Sequence, residues 1–181
     1  MPTDATHLKV NNIQLEIIDR GLGRPLLFLH PGIGIDPKAP VLDRLATRAR
    51  LIAPSHPGFG NSEQPRSSTT LDDLAYFYLD LLEHFDLKHV TIVGVSLGGW
   101  IAAEMAVKST QRISRLVLAN TVGINSEIRV RILSARRCSR ACLTGAIFSK
   151  NPRIFLKEAE QSFRLIMLCG ASLRIDVLVA N

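Results

Sequence analysis

Gly94-Val95-Ser96-Leu97-Gly98-Gly99 is the segment of this chain whose residue types and spacing best suit nucleophilic chemistry. A serine hydroxyl is a poor nucleophile. It needs a base to take its proton and fixed N–H donors for the oxyanion that forms when it attacks a carbonyl. The apolar run Val90-Thr91-Ile92-Val93 reads as a strand and Leu97 to Lys108 as a helix, so Ser96 falls on the turn between them. A sharp turn there lifts the hydroxyl clear of the sheet, and its crowded backbone admits only small neighbours, which accounts for Gly94 and Gly98. The positive end of the following helix favours developing negative charge. The N–H of Leu97 is one candidate oxyanion donor. A second comes from His30-Pro31-Gly32-Ile33-Gly34, the loop that ends the apolar run Leu26 to Leu29. Pro31 has no N–H, so Gly32 is the first choice there and Ile33 the second.

Other chemistry-bearing residues read more simply. Asp72 and Asp73 follow Thr70 in a pattern resembling a capping box, so they answer the exposed N–H groups of a helix start rather than form a catalytic carboxylate pair. His30 sits in the glycine loop, His56 in a second loop and His84 on a helix, and all three read as structural. Trp100 and Met105 read as core residues. Cys138, Cys142 and Cys169 are odd in number and lack paired spacing, and no histidine lies near Cys138 and Cys142 to complete a metal set. No metal or cofactor is expected.

The elements that must position Ser96 follow from pattern. His7 to Asp19 alternates about Asn11-Asn12 as a hairpin does. Leu26 to Leu29 and Arg50 to Pro54 are short strands ending in glycine loops. Leu71, Leu74, Ala75, Tyr78, Leu81, Leu82 and Phe85 recur at helical spacing, and Ile113 to Ala119 is another strand. Strands alternating with helices predict an α/β domain with a mostly parallel sheet.

The chain has 181 residues, 46% of them hydrophobic, which suits one domain with a real core. Its net charge of +6 is unevenly placed. Residues 1–125 carry 12 basic and 12 acidic groups, whereas residues 126–181 carry 10 and 4. All five histidines lie in the first part and all three cysteines in the second. The chain therefore divides compositionally into 1–125 and 126–181. The first dozen residues are mostly polar and no run approaches a membrane span, so the chain reads as soluble and cytoplasmic, with neither membrane nor nucleic acid as partner.

Four blocks in order, LLFLHPG, APSHPGFGNSEQP, VTIVGVSLGGWIAAEMA and RISRLVLANTVG, resemble the α/β-hydrolase superfamily, in particular its small esterases, carbon–carbon bond hydrolases and haloperoxidase-like enzymes. The likeness runs from about residue 8 to residue 124. It implies Ser96 as nucleophile, Gly32 and Leu97 as oxyanion donors, His30 as a structural histidine, and a small-molecule acyl or carbonyl substrate. A serine in this place argues against the epoxide hydrolase and haloalkane dehalogenase branches. Ser55 stands where relatives often carry Asp, for which a loop-packing consequence is expected.

The resemblance also implies an acid and then a histidine after the serine. No histidine follows Ser96 in the sequence, and Asn120 occupies a place where some relatives carry the acid. Residues 126–181 should hold a lid and two further strands, yet show no familiar block. A truncated or frameshifted product is the favoured reading, beside a genuine lid or a repurposed basic surface, and the nucleotide sequence decides between them. On this reading the C-terminal strands are missing, Ile113 to Ala119 lies at an open sheet edge, and solubility is poor. The expected function is hydrolysis of an ester or related carbonyl substrate with turnover near background. The alternative is a non-catalytic binding protein using the basic stretch from Arg129 through Arg140 against an acidic partner.

Overall fold

The computed structural model describes residues 5–65, 70–122 and, as backbone, 174–178. Strands β1 (Thr6–Val10) and β2 (Ile13–Arg20) form the expected hairpin. Its two-residue turn holds Asn11 at φ 47° and Asn12 at φ 66°, the left-handed pair that matches strand twist and that Asn tolerates. Next come β3 (Pro25–Leu29), α1 (Pro40–Ala46), β4 (Arg50–Pro54) and α2 (Leu71–His84). Then β5 (Val90–Val95), α3 (Leu97–Lys108), β6 (Ile113–Ala119) and β7 (Arg174–Leu178) complete the order. The short helix α1, which opens on Pro40, has no counterpart in the sequence reading.

All seven strands form one sheet in the order β1-β2-β4-β3-β5-β6-β7. The β1–β2 and β2–β4 pairings are antiparallel; the rest are parallel. The α/β expectation therefore holds. One correction concerns the edge: β6 is not open, because β7 pairs with it in parallel, placing Val117 opposite Asp176. A strand that carries no family block in its sequence has joined the sheet through backbone hydrogen bonds, which do not depend on side-chain identity.

Helices α2 and α3 cover one face. There Leu27, Leu29, Ile92, Leu116 and Leu118 meet Tyr78, Leu81, Leu82, Ile101 and Met105 in a fully buried layer. The other face carries a smaller cluster of Ile18, Leu26, Phe28, Leu51 and Ala53 beneath Leu42 of α1. Trp100 and Met105 are buried as expected, and the Trp100 indole N–H donates to Glu104 Oε1 over 3.3 Å. The start of α2 is a capping box: Asp73 N–H donates to Thr70 Oγ1 (3.1 Å) and Thr70 N–H to Asp73 Oδ2 (2.8 Å). Asp72 pairs with Lys108 of α3, so both aspartates serve the helix and its packing. Among the described residues no helix is long and apolar enough to cross a membrane. Cys138, Cys142, Cys169 and the stretch from Arg129 through Arg140 lie outside the described residues.

Candidate active site

Ser96 stands between the last residue of β5 and the first of α3 with φ 52° and ψ −113°. A residue with a Cβ takes positive φ at a cost, and such strain persists only where the surroundings enforce it. Here they do. Ser96 N–H donates to Ala119 O of the neighbouring strand (3.0 Å), and Ser96 O receives Gly99 N–H (3.1 Å) and Trp100 N–H (3.3 Å) as the helix begins. The side chain is half-buried, neither enclosed in the core nor free of it.

The glycines around it are required by close approach. A Cβ on Gly94 would collide with Gly98 O and Gly99 Cα across the turn. One on Gly98 would strike the backbone carbonyls of Leu29 and His30. That second contact brings two parts of the expected site together, since the first turn of α3 lies directly against the end of β3 where the His30-Pro31-Gly32 loop begins. Gly99 has the same constraint against the Thr121 side chain just beyond β6, a neighbour the sequence reading did not single out.

The loop after β3 closes with Gly34 N–H donating to Pro31 O (2.9 Å), which leaves Ile33 76% exposed at its tip. Among the described residues neither the Gly32 nor the Leu97 amide donates to a protein acceptor. An open groove of about 410 Å³ runs past this loop, bounded by Ile33, Ile35 and Asp36 on one side and by Ser55, Phe59 and Gly60 on the other.

Two histidines hold the loops from beneath. His30 and His56 are fully buried and stacked with ring centroids 3.7 Å apart. Their hydrogen bonds fix their tautomers. His56 N–H donates to His30 Nε2 (2.8 Å), so His30 carries its proton on Nδ1 and gives it to Pro31 O (2.6 Å). His56 gives its Nε2 proton to His30 O (2.9 Å), so its Nδ1 accepts from the buried Tyr78 hydroxyl. Burial favours the uncharged form of both rings. His30 is lowered from its usual value, and His56, with His30 beside it, falls to about 3. Burial likewise raises Tyr78 well above the usual phenol value. Neither imidazole has a nitrogen free to take a proton from Ser96, and His84, at the end of α2, stacks edge-on against Phe85.

A third set of contacts, absent from the sequence reading, ties the second loop to β2. Glu16 accepts from Ser55 Oγ (2.9 Å), Asn61 N–H (3.1 Å) and Asn61 Nδ2 (2.8 Å). Burial acts to raise the Glu16 carboxyl, but these three bonds outweigh it and hold the group below its ordinary value. Ser62 bridges the same strands, accepting from Glu16 N–H (3.0 Å) and donating to Ser55 O (2.8 Å). Ser55 thus has the loop-packing role expected of it. An aspartate in its place would set a second carboxylate against Glu16.

A family model for the alpha/beta hydrolase fold matches residues 24–133, more than half of the chain. The chain belongs to the alpha/beta hydrolase fold family. It is 36% identical over 112 residues to an uncharacterized protein of Mycobacterium tuberculosis, covering 61% of this chain and 33% of that one. It is 33% identical over 121 residues to a 2-hydroxymuconate semialdehyde hydrolase of Pseudomonas sp. strain CF600, covering 64% of this chain and 43% of the other. Among solved structures it resembles a meta-cleavage product hydrolase, CumD, with a TM-score of 0.60 at 25% identity over 69% of this chain and 48% of that one. The chain spans well under half the length of these curated relatives.

Proposed function

We propose that this member of the alpha/beta hydrolase fold family is the nucleophile-bearing part of a serine hydrolase for ester or related carbonyl substrates. Ser96 attacks the carbonyl carbon, and the amides of Gly32 and Leu97 receive the negative oxygen that forms. Gly94 and Gly98 keep the turn tight enough to present the hydroxyl. Water then releases the acyl-enzyme, and no cofactor enters. Residues 1–125 form the core part and 126–181 a distinct segment that returns one strand to the sheet.

The observation that carries this reading is the backbone of Ser96, a non-glycine residue held at φ 52° between a parallel strand and a helix start. The likeness to 2-hydroxymuconate semialdehyde hydrolase supports a carbonyl substrate. Fold alone does not choose the chemistry, since an epoxide hydrolase also resembles this chain, with a TM-score of 0.56. Serine as the candidate nucleophile makes the acyl-enzyme route the better match.

Turnover by these 181 residues is expected near background, because no histidine follows Ser96 and both buried imidazoles are committed to backbone carbonyls. Losing the base of a serine triad costs on the order of a millionfold. A fluorophosphonate probe read by mass spectrometry tests the site. Slow modification confined to Ser96 and abolished in Ser96→Ala is expected, whereas labelling elsewhere, or none after prolonged exposure, would reject Ser96 as the nucleophile.

A further inference from the structure

The opposite edge of the sheet carries a second candidate site. Strands β3, β5 and β6 run parallel, so their N-terminal ends lie together, some 17 Å from Ser96 by the rise of about 3.3 Å per residue along β5. An open cleft of about 670 Å³ lies there, lined by Arg24, Lys88, His89, Thr91, Ser114 and Arg115. It holds three permanent cations, an imidazole and two hydroxyls, and no carboxylate.

The nearby acids are already engaged. Asp86 is shared between Arg112 (3.2 Å) and Lys88 (3.6 Å), and Asp19 is gripped by both Arg50 nitrogens at 3.1 and 2.7 Å. The negative end of α2 is also answered, since Arg112 donates to Leu87 O (2.9 Å). Among the described residues Arg24 has no acidic partner. Sheet register concentrates the charge: Thr91, Arg115 and Arg174 sit side by side on β5, β6 and β7. Like charges on adjacent strands repel, so the arrangement favours an anion between them. Ser114 Oγ spends its proton on His89 O (2.8 Å), which fixes the turn that holds His89 at φ 55° on the rim.

We propose that this cleft binds a phosphate group, free or at the end of a small molecule. Phosphate suits it better than a monovalent carboxylate. It offers up to two charges and three or more acceptor oxygens, enough to meet Arg24, Lys88 and the Thr91 hydroxyl at once. The site does not depend on Ser96 being a nucleophile.

The test is a titration of the full chain with inorganic phosphate and with pyrophosphate, followed by calorimetry and by the His89 imidazole resonances, with sodium chloride holding ionic strength constant. Saturable binding is expected, tighter for pyrophosphate, unchanged in Ser96→Ala and weakened about tenfold in the double variant Arg24→Ala/Lys88→Ala. Both replaced side chains are exposed, so the fold should survive, and the unsubstituted chain supplies an independent readout. Unmoved His89 resonances, equal affinity in the double variant, or the same response to chloride alone would each overturn the proposal.

Discussion

Ser96 and the two buried histidines mark the extremes of what single residues disclosed. The strain at Ser96 is written locally, because Gly94 and Gly98 are needed within two positions of it and a strand and helix pattern flanks them. The histidine pair is written in three dimensions only. His30 and His56 are each legible as structural, but their stacking and the Tyr78 hydroxyl beneath them join residues from two loops and a helix. Glu16 was silent for the same reason, its partners lying 39 and 45 residues away. The histidine pair has a consequence in acid. In the unfolded chain each imidazole takes a proton near its usual value of 6.5, whereas folded His56 resists until about 3 and folded His30 is also lowered. Unfolding therefore binds protons, and stability present above 6.5 drains away as the pH falls toward 3. Below that upper value each such ring should cost about 1.4 kcal/mol per pH unit. Urea midpoints should accordingly drop between about pH 7 and pH 5, before most carboxylates titrate, and the slope should lessen in His56→Gln. A midpoint flat across that interval would show that the rings are not held neutral.

Elements were legible wherever a periodic pattern met a specific end signal. Thr70 and Asp73 announced α2, Asn11-Asn12 announced the first hairpin, and the boundaries found for β4, α3 and β6 are those the sequence suggested. Helix α1 escaped because its seven residues give barely two turns, and only Leu42 is fully buried. More informative is how α3 meets β3. The helix contributes no capping side-chain bond at Ser96, and its first turn is held by contact, with Gly98 against the carbonyls of Leu29 and His30. Contact between backbone atoms cannot be relieved by a rotamer change, so Gly98→Ala should push α3 away from the loop that carries Gly32. A loss of about 1–3 kcal/mol in chemical denaturation is expected, at the scale of an overpacked core. Fluorophosphonate labelling of Ser96 should fall with it, because the two amides separate. Unchanged labelling in a destabilised variant would mean that the α3 and β3 junction supports the fold without shaping the oxyanion site.

At the scale of the whole molecule, the class of fold was readable because alternating strand and helix patterns leave few topologies, and the parallel order β4-β3-β5-β6 matches that expectation. The last strand was not readable. Nothing in Arg174–Leu178 resembles a family block, yet its backbone completes five register positions along β6, from Arg115 with Arg174 to Ala119 with Leu178. Sequence comparison sees side chains, whereas an edge is closed by N–H and C=O groups that any residue but proline supplies. The strand that covers β6 should therefore matter more to behaviour in solution than its sequence suggests. Without it, Ile113–Ala119 would present an unpaired row of backbone groups next to the apolar interior, the arrangement that templates pairing between chains. A chain ending at residue 173 should still form the β1 to β6 sheet, since every other pairing is independent of β7. It should associate increasingly with concentration by sedimentation velocity, where the full chain at equal concentration does so less. Adding back a synthetic peptide of residues 174–178 with its flanking residues should reduce that association. If the shortened chain sediments as the full chain does at every concentration, β7 is not what protects the edge of this sheet.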